Sequence, residues 1–174
     1  MAPEVLRGSQ YTKAADIYSF GIIMNELMSE EIPYHDIPHD QILTFGICKG
    51  LRPKISEDTP KLLADLIMKC WDAKAENRPT AKELCQVLKK WSSECGDGDY
   101  NKCDPSSEIY SQIEECIKIK ERKLKNDKDI PKKFQIRHPQ AIYTSRLLNF
   151  KNLPEPVNSS DTGNNLIYYE NNFI

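Results

Sequence analysis

The sequence lacks a strong charge of either sign, a long apolar run and a targeting leader. Lys and Arg total 24 against 26 Asp and Glu, so the formal net charge of −2 gives no field that favours nucleic acid or a membrane surface as the main partner. No apolar run approaches the roughly 20 residues that cross a bilayer, and no charged-then-apolar segment opens the chain. We therefore expect a cytoplasmic protein with neither nucleic-acid nor membrane partners.

Metal-binding patterns are also missing. The six cysteines are scattered, with no C-x-x-C pair and no histidine at zinc spacing, so idle thiols are favoured over a zinc site, and disulfides are not expected in a reducing compartment. His35 and His39 stand four residues apart beside two aspartates, which leaves a metal site as an alternative. Solvated loop residues fit this pattern better, and we expect no metal ligands in the chain.

The chain divides into two regions of different composition. Apolar residues recur at helical spacing up to about residue 91, whereas Asn, Lys, Ser, Asp and Pro dominate from Ser92 onward. The segment 16–28 is apolar all round, which is typical of a helix buried at the centre of a domain, and Tyr18 and Phe20 are predicted core residues. Further helices are predicted at 39–48, 60–71 and 81–91, without a convincing strand. The predicted fold class is therefore mainly α.

Cap signals mark where these helices begin and end. Thr59 is a predicted N-cap, followed by proline at the first helical position. Thr80 and Glu83 match the T-x-x-E capping box, in which each side chain meets a backbone amide of the other residue. Gly50 is predicted to end the short helix at 39–48.

Beyond the helical region we predict a linker at 92–105, an amphipathic helix at 106–124 and a mostly disordered polar tail at 125–174. Asp104 before Pro105 offers a start signal for that helix. The helix either packs back onto the preceding helices, binds a partner or stays mostly solvated. The residues do not separate these alternatives.

Several short motifs occur in one order along residues 1–91. They are Ala2-Pro3-Glu4, the run from Asp16 to Gly21, Cys70-Trp71 and Arg78-Pro79-Thr80. Together they resemble the latter half of a protein kinase catalytic domain, in which Ala-Pro-Glu closes the activation segment. Leu51-Arg52-Pro53 and Thr59-Pro60 are similar to the tyrosine kinase and tyrosine-kinase-like groups, and Val5 favours the tyrosine-kinase-like group. The resemblance implies the latter part of the helical C-terminal lobe of the kinase fold.

The resemblance also implies structural roles for three residues. In the family the Ala-Pro-Glu glutamate pairs with the arginine before Pro-Thr, which places Glu4 against Arg78 as an anchor of the activation segment; two unrelated surface charges are the alternative. Asp16 matches the carboxylate that accepts hydrogen bonds from the catalytic loop, or else is a simple helix cap. Lys74-Ala75 replace the acidic residue and proline that the family usually has, which predicts a looser turn there.

Protein partners are expected on the helical lobe. In relatives the short helix near 39–48 often binds substrates or regulators, which makes His39, Ile42 and Leu43 our candidate docking residues. Helix faces that pack against other parts of a complete kinase domain would be exposed here. Self-association through that apolar surface is therefore also expected.

The catalytic parts of a kinase are missing from the sequence. Phosphoryl transfer needs a glycine-rich loop, a lysine, a catalytic aspartate and magnesium ligands, but G-x-G-x-x-G, H-R-D-x-x-x-x-N and D-F-G are all absent. We expect no catalytic, cofactor-binding or metal residues here, with ATP and magnesium implied for a full-length relative. The leading hypothesis is an inactive fragment of a serine/threonine or dual-specificity signalling kinase. The alternative is a non-catalytic kinase remnant that serves as an interaction or scaffold module.

Overall fold

The computed structural model describes residues 1–126, 137–144, 148 and 150–159, and helices form its framework. The α-helices are α1 (Pro3–Leu6), α2 (Lys13–Ser29), α3 (Gln41–Cys48), α4 (Lys61–Cys70), α5 (Ala81–Glu94) and α6 (Glu108–Asn126). Short 3-10 turns lie at Ala75–Asn77, Gly96–Gly98 and Tyr100–Lys102. No strand occurs among these residues, so the predicted mainly α fold is confirmed.

The main core forms where α2 packs against α4 and α5. Ile17 and Tyr18 of α2 pack with the buried residues of α4, and Leu84 of α5 belongs to the same cluster. Gly21 sets the spacing of α2 and α4, since a Cβ atom there would lie 2.7 Å from Cβ of Cys70. Two carbon atoms cannot approach so closely without a shift. Glycine at this position therefore allows the close contact of the two helices.

α2 is buried on one side, which corrects the prediction of a helix enclosed at the centre of a domain. Phe20, Ile23 and Leu27 lie away from α4 and keep 37%, 52% and 73% of their surface exposed. They recur at i, i+3 and i+7 and so form one line along the helix, which we call the apolar stripe. Phe20 is thus not the core residue that was expected. A helix that is apolar on every side is fully buried only if other parts of the protein cover each of those sides.

Side-chain caps begin several of the helices. In the predicted capping box, Thr80 Oγ1 accepts a hydrogen bond from Glu83 N at 3.3 Å, and Glu83 Oε2 accepts one from Thr80 N at 2.7 Å. The cap predicted at Thr59 is wrong, because α4 begins one residue later than expected and the Thr59 hydroxyl has no hydrogen-bond partner. Leu62 N instead donates to Oε1 of Gln112 in α6 at 2.9 Å. A distant side chain thus takes the place of the local cap.

α6 packs back onto the preceding helices, which is one of the alternatives that the sequence leaves open. Its residue Ile109 is buried. The start of the helix differs from the expected one, because the Asp104 carboxylate accepts a hydrogen bond from Ser106 N at 2.9 Å and so closes a turn. Ser107 then lies just before the helix, which begins at Glu108.

Parts of the tail that was expected to be disordered lie against the lobe. Leu148 and Leu153 pack with the apolar cluster of α1 and α3, and Tyr143 Oη donates to O of Pro33 at 2.7 Å. Local composition could not predict these contacts, because the partners are far away in sequence. The same expectation also covers residues 127–136, 145–147, 149 and 160–174, which lie outside the described residues.

Candidate functional site

Glu4 and Arg78 meet inside the lobe and form a two-pronged ion pair. Arg78 Nη1 lies 2.7 Å from Glu4 Oε1, and Nη2 lies 2.8 Å from Oε2. The Arg78 side chain is 0% exposed, which is unlike a pair of unrelated surface charges. A planar guanidinium matches a carboxylate in this geometry and makes short, directional hydrogen bonds. The structure therefore brings together the two residues that the sequence motifs single out.

Arg78 also donates hydrogen bonds to three backbone carbonyl groups. Nη1 lies 3.0 Å from O of Ala14, Nε lies 2.9 Å from O of Asp72, and Nη2 lies 3.4 Å from O of Ala73. α1, the start of α2 and the turn before α5 therefore meet at one side chain. We call Glu4, Arg78 and these three carbonyl groups the anchor site.

The surroundings keep Glu4 in its charged form. Burial raises the pKa of the Glu4 carboxyl, but the hydrogen bonds and the charge of Arg78 outweigh burial, so that the pKa lies below its usual range. Glu4 is therefore ionised at neutral pH, and the ion pair is intact there.

The Tyr18 ring, beside the anchor site, is in contact with two arginine side chains. The guanidinium carbon of Arg78 is 5.1 Å from the centre of the Tyr18 ring, and that of Arg52 is 5.2 Å from it. Cations are attracted to the faces of aromatic rings. Arg52 is held in place by Nε, which donates to O of Trp71 at 3.1 Å. The burial of Tyr18 confirms its predicted place in the core. Arg52 belongs to the Leu51-Arg52-Pro53 motif, but no spacing pattern predicts its contact with Tyr18.

Asp16 stands apart from the anchor site. It lies in the first turn of α2, where its side chain is exposed and makes no hydrogen bond with any described residue. Thr12 caps this helix instead, since its Oγ1 accepts a hydrogen bond from Ala15 N at 3.2 Å. The simple helix-cap alternative for Asp16 is therefore wrong. Its role toward a catalytic loop stays a prediction.

The three candidate docking residues do not form one open surface. Ile42 is 49% exposed, whereas Leu43 is buried in the apolar cluster of α1 and α3. His39 Nε2 lies 3.1 Å from O of Tyr34, and Nδ1 lies 2.9 Å from O of Ile142 in the tail. The chain's own tail thus contacts part of the surface, and the docking role stays a prediction.

Two side chains close the turn before α5. Asp72 Oδ1 accepts a hydrogen bond from Lys74 N at 2.8 Å. Asn158 of the tail accepts one from Ala73 N at 2.8 Å and donates to Asp72 Oδ2 at 3.1 Å. The turn therefore differs from the looser one expected from Lys74 and Ala75, because a tail residue supplies hydrogen bonds that the local sequence does not show.

The described part of the chain gives no metal or membrane signal. No group of three or more His, Cys, Asp or Glu side chains in it could hold a metal ion, and none of its helices combines the length and apolarity needed to span a bilayer. All six cysteines are free thiols, with Cys48 and Cys70 buried. Burial raises the pKa of the Cys70 thiol to about 11.

Known proteins match the part of the chain that holds the anchor site. A family model described as protein tyrosine and serine/threonine kinase matches residues 1–88. The chain is 36% identical over 102 residues to serine/threonine-protein kinase STY17 of Arabidopsis thaliana, covering 59% of this chain and 18% of that relative. It is 39% identical over 92 residues to a probable LIM domain-containing serine/threonine-protein kinase of Dictyostelium discoideum, covering 53% and 14%. Mitogen-activated protein kinase kinase kinase 7 of Drosophila melanogaster is 33% identical over 121 residues, covering 70% and 17%.

A solved structure shares the fold. The cryo-EM structure of the AtMLKL3 tetramer matches with a TM-score of 0.50 and 24% sequence identity, covering 72% of this chain and 23% of that chain. This likeness concerns the fold alone. The chain spans less than a fifth of the length of each sequence relative named above.

Proposed function

This chain belongs to the protein tyrosine and serine/threonine kinase family, and from that premise we propose that it is the latter part of the helical lobe of an ATP-dependent signalling kinase. The proposed reaction of the whole protein is phosphoryl transfer to hydroxyl groups of proteins, with serine/threonine or dual specificity. Relatives whose names include serine/threonine-protein kinase support that specificity. In this proposal the present chain does not transfer phosphate by itself.

The anchor site is the observation that carries the proposal. Burying two charges costs desolvation free energy that their attraction repays only in good geometry. Here the pair joins positions 74 residues apart. Arg78 also donates hydrogen bonds to the backbone at the start of α2 and in the turn before α5. Such an arrangement fixes the position of the segment that carries Ala-Pro-Glu. The anchor site therefore supports the proposal that this lobe holds the end of an activation segment in place.

The residues of this chain do not fit ATP with magnesium. The sequence contains none of the nucleotide-binding or catalytic motifs of the family. The described residues also offer no cluster of side chains that could hold a metal ion. In the proposal, ATP and magnesium are therefore bound by residues outside this sequence, and this chain supplies the frame of the helical lobe.

Calorimetric titration of the purified chain with ATP and magnesium tests this division of roles. We expect no saturable heat, whereas a complete tyrosine-kinase-like domain titrated under the same conditions should bind. Saturable binding by this chain would contradict the proposal, because it would reveal a nucleotide site built without the motifs of the family.

A second candidate function is a non-catalytic interaction or scaffold module. The apolar stripe of Phe20, Ile23 and Leu27 favours it, since contiguous exposed apolar surface is typical of sites that bind other proteins. A chain that binds a protein partner or a second copy of itself but no nucleotide would act in this way. Saturable binding of ATP in that titration would rule this candidate out, whereas self-association through the apolar stripe would support it.

Partners and location belong to the same proposal. We expect protein substrates or regulators to bind the helical lobe, and we expect neither nucleic acid nor a membrane as partner. A cytoplasmic location suits a chain whose six cysteines are free thiols, because a reducing compartment keeps them so.

A further inference from the structure

A short part of the tail, residues 153–158, lies on the lobe next to the anchor site, and we call it the tail segment. Arg7 Nη1 donates to Oε2 of Glu155 at 2.7 Å, and Nη2 donates to the other carboxylate oxygen. Arg7 directly follows α1, which carries Glu4. Leu153 packs with Leu6, Leu43 and Ile47 of the neighbouring apolar cluster. The tail segment thus contacts the lobe through one charged and one apolar side chain.

The backbone of the tail segment also binds the end of α3. Val157 N donates to O of Cys48, the last residue of that helix, at 3.0 Å. Carbonyl groups at helix ends have no partner inside the helix, so the tail satisfies one of them. Gly50 lets the tail pass, since a Cβ atom there would lie 2.6 Å from Ser159 N and 2.8 Å from Asn158 C.

Asn158 connects the tail segment to the anchor site. Its side chain binds Ala73 N and Asp72 Oδ2. The carbonyl groups of the same two residues accept hydrogen bonds from Arg78. The tail segment therefore contacts the outer side of the turn whose inner side completes the anchor site.

We propose that the surface formed by Arg7, Cys48, Gly50 and the turn at 72–73 is a docking site for a peptide segment of another protein, and that the tail segment occupies it as a built-in competitor. The partner peptide has an apolar residue, then glutamate two positions later, then asparagine three positions after the glutamate, as residues 153–158 do. The proposal does not depend on phosphoryl transfer by the whole protein.

The tail segment is suited to release as well as to binding. The Glu155 side chain is 80% exposed, and exposed ion pairs typically contribute only about 0–1 kcal/mol. Leu153 is half-buried rather than buried. Because the segment belongs to the same chain, its local concentration at the site is high even when each contact is weak. A partner peptide that has the same three side chains and binds the surface more tightly could therefore displace the tail segment.

A peptide-binding experiment tests the proposal on the full chain. The probe is a fluorescently labelled synthetic peptide of residues 150–159, and the readout is fluorescence anisotropy. A double variant, Glu155→Ala with Asn158→Ala, weakens the built-in competitor and leaves the docking surface unchanged. It should bind the peptide at least about tenfold more tightly than the wild type, because the free fraction of the site sets the apparent affinity.

Charge reversal tests whether the peptide uses the proposed surface. Adding Arg7→Glu to the double variant should abolish binding of the natural peptide, since two carboxylates would then face each other. A peptide with Glu155→Arg should restore binding to that triple variant. Equal binding of both peptides to every variant would overturn the proposal.

Two glycines provide a matched pair for testing release of the tail. Gly50 and Gly8 have φ values of +95° and +97°, but a Cβ atom at Gly8 would have nothing within 4 Å. Alanine is thus equally strained at both positions and collides with the tail only at Gly50. Hydrogen exchange should show faster exchange of the Val157 amide, which donates to O of Cys48, in Gly50→Ala and an unchanged rate in Gly8→Ala.

Three results would contradict the proposal. One is equal peptide affinity of the wild type and the double variant, and another is no binding to either. The third is a wild-type dimer, detected by light scattering, that the double variant converts to a monomer, because the surface would then belong to a second copy of the chain.

Discussion

Arg78 is the residue at which α1, α2 and the turn before α5 meet, so its removal tests the anchor site directly. Arg78→Ala leaves the partly buried Glu4 carboxylate and three carbonyl groups without their donor. We expect the free energy of unfolding to fall by about 3–5 kcal/mol, the usual result of removing one partner of a buried pair. Urea unfolding followed by circular dichroism measures this change.

An exposed ion pair on α5 serves as the control for Arg78. Lys90 Nζ lies 3.6 Å from Glu94 Oε1, and its side chain is largely exposed. Lys90→Ala should change the free energy of unfolding by no more than about 0.5 kcal/mol. If both variants lost equally little stability, the anchor site would not hold the three segments together.

Glu4 makes the stability of the anchor site depend on acid. Its pKa is lowered in the folded state, so its contribution is fully present above the pKa of an unfolded glutamate, about 4.3, and is lost as the pH falls through the folded-state value. Glu4→Gln should therefore destabilise the protein at pH 7 and make less difference near pH 3. Urea unfolding at several pH values measures the gap, and a gap that does not change with pH would contradict this assignment.

The cysteines should differ in reactivity according to their burial. Burial raises the pKa of the Cys70 thiol to about 11, so little thiolate is present at pH 8, whereas Cys85 is exposed. With iodoacetamide at pH 8, mass spectrometry should detect labelling of Cys85 first and of Cys70 last. In concentrated urea the two rates should converge, because burial no longer separates them.

At the residue scale, the sequence predicts contacts only where a motif links distant positions. The motifs place Glu4 opposite Arg78 by resemblance, and the structure brings the two together. Arg52 beside Tyr18 and Asn158 beside Ala73 follow from no motif or period. Such contacts depend on how the helices pack, which local spacing does not encode.

At the scale of helices, Gly21 controls how closely α2 approaches α4. A Cβ atom there would meet Cβ of Cys70 at 2.7 Å, and neither carbon can rotate away. Gly21→Ala should therefore destabilise the protein by about 1–3 kcal/mol, the typical cost of overpacking a core, despite the helix propensity that alanine adds. Thermal unfolding followed by circular dichroism measures the change.

Gly46 in α3 is the matched control for Gly21. A Cβ atom there would lie 3.2 Å from Cδ2 of Leu51, the end of a flexible side chain that can shift. Gly46→Ala should be close to neutral, because alanine gains up to about 1 kcal/mol of helix propensity. A loss at Gly46 equal to that at Gly21 would show that the α2–α4 contact is not specially tight.

The periodicity of the sequence predicts where the helices lie along the chain better than it predicts which residues surround each helix. Every predicted helix has a counterpart in the structure, and the capping box at Thr80 is present. The cap of α4 comes instead from Gln112, a residue 50 positions away. The resemblance predicts that some apolar helix faces are exposed, but periodicity does not show that α2 carries one, since a period describes one helix and not its neighbours.

At the scale of the whole molecule, the apolar stripe should make the chain associate with itself. Ile23→Glu with Leu27→Glu places charges on the stripe without touching the core, so the double variant should sediment as a monomer at concentrations where the wild type forms larger species. Ile117→Glu is the control, because it alters one exposed apolar residue on a different helix, α6. A monomeric wild type at all concentrations would contradict this expectation.

The resemblance predicts the lobe as a whole, but it says nothing about how the tail meets it. Composition suggests disorder for residues 125–174, because polar segments bury too little apolar surface to offset the loss of chain entropy. The described tail residues contact the lobe through single side chains such as Glu155 and Asn158. The overall composition of a segment does not predict contacts that depend on a few individual side chains.

The reach of Asn158 has a consequence for how the protein is made. Ribosomes release the chain from its first residue onward, and the turn that Asn158 closes precedes it by 85 residues. Until residue 158 emerges, the amide of Ala73 must bind water. The turn at residues 72–73 therefore gains its full set of hydrogen bonds only after residue 158 has left the ribosome, and a chain that stops before Asn158 would leave the Ala73 amide bound to water.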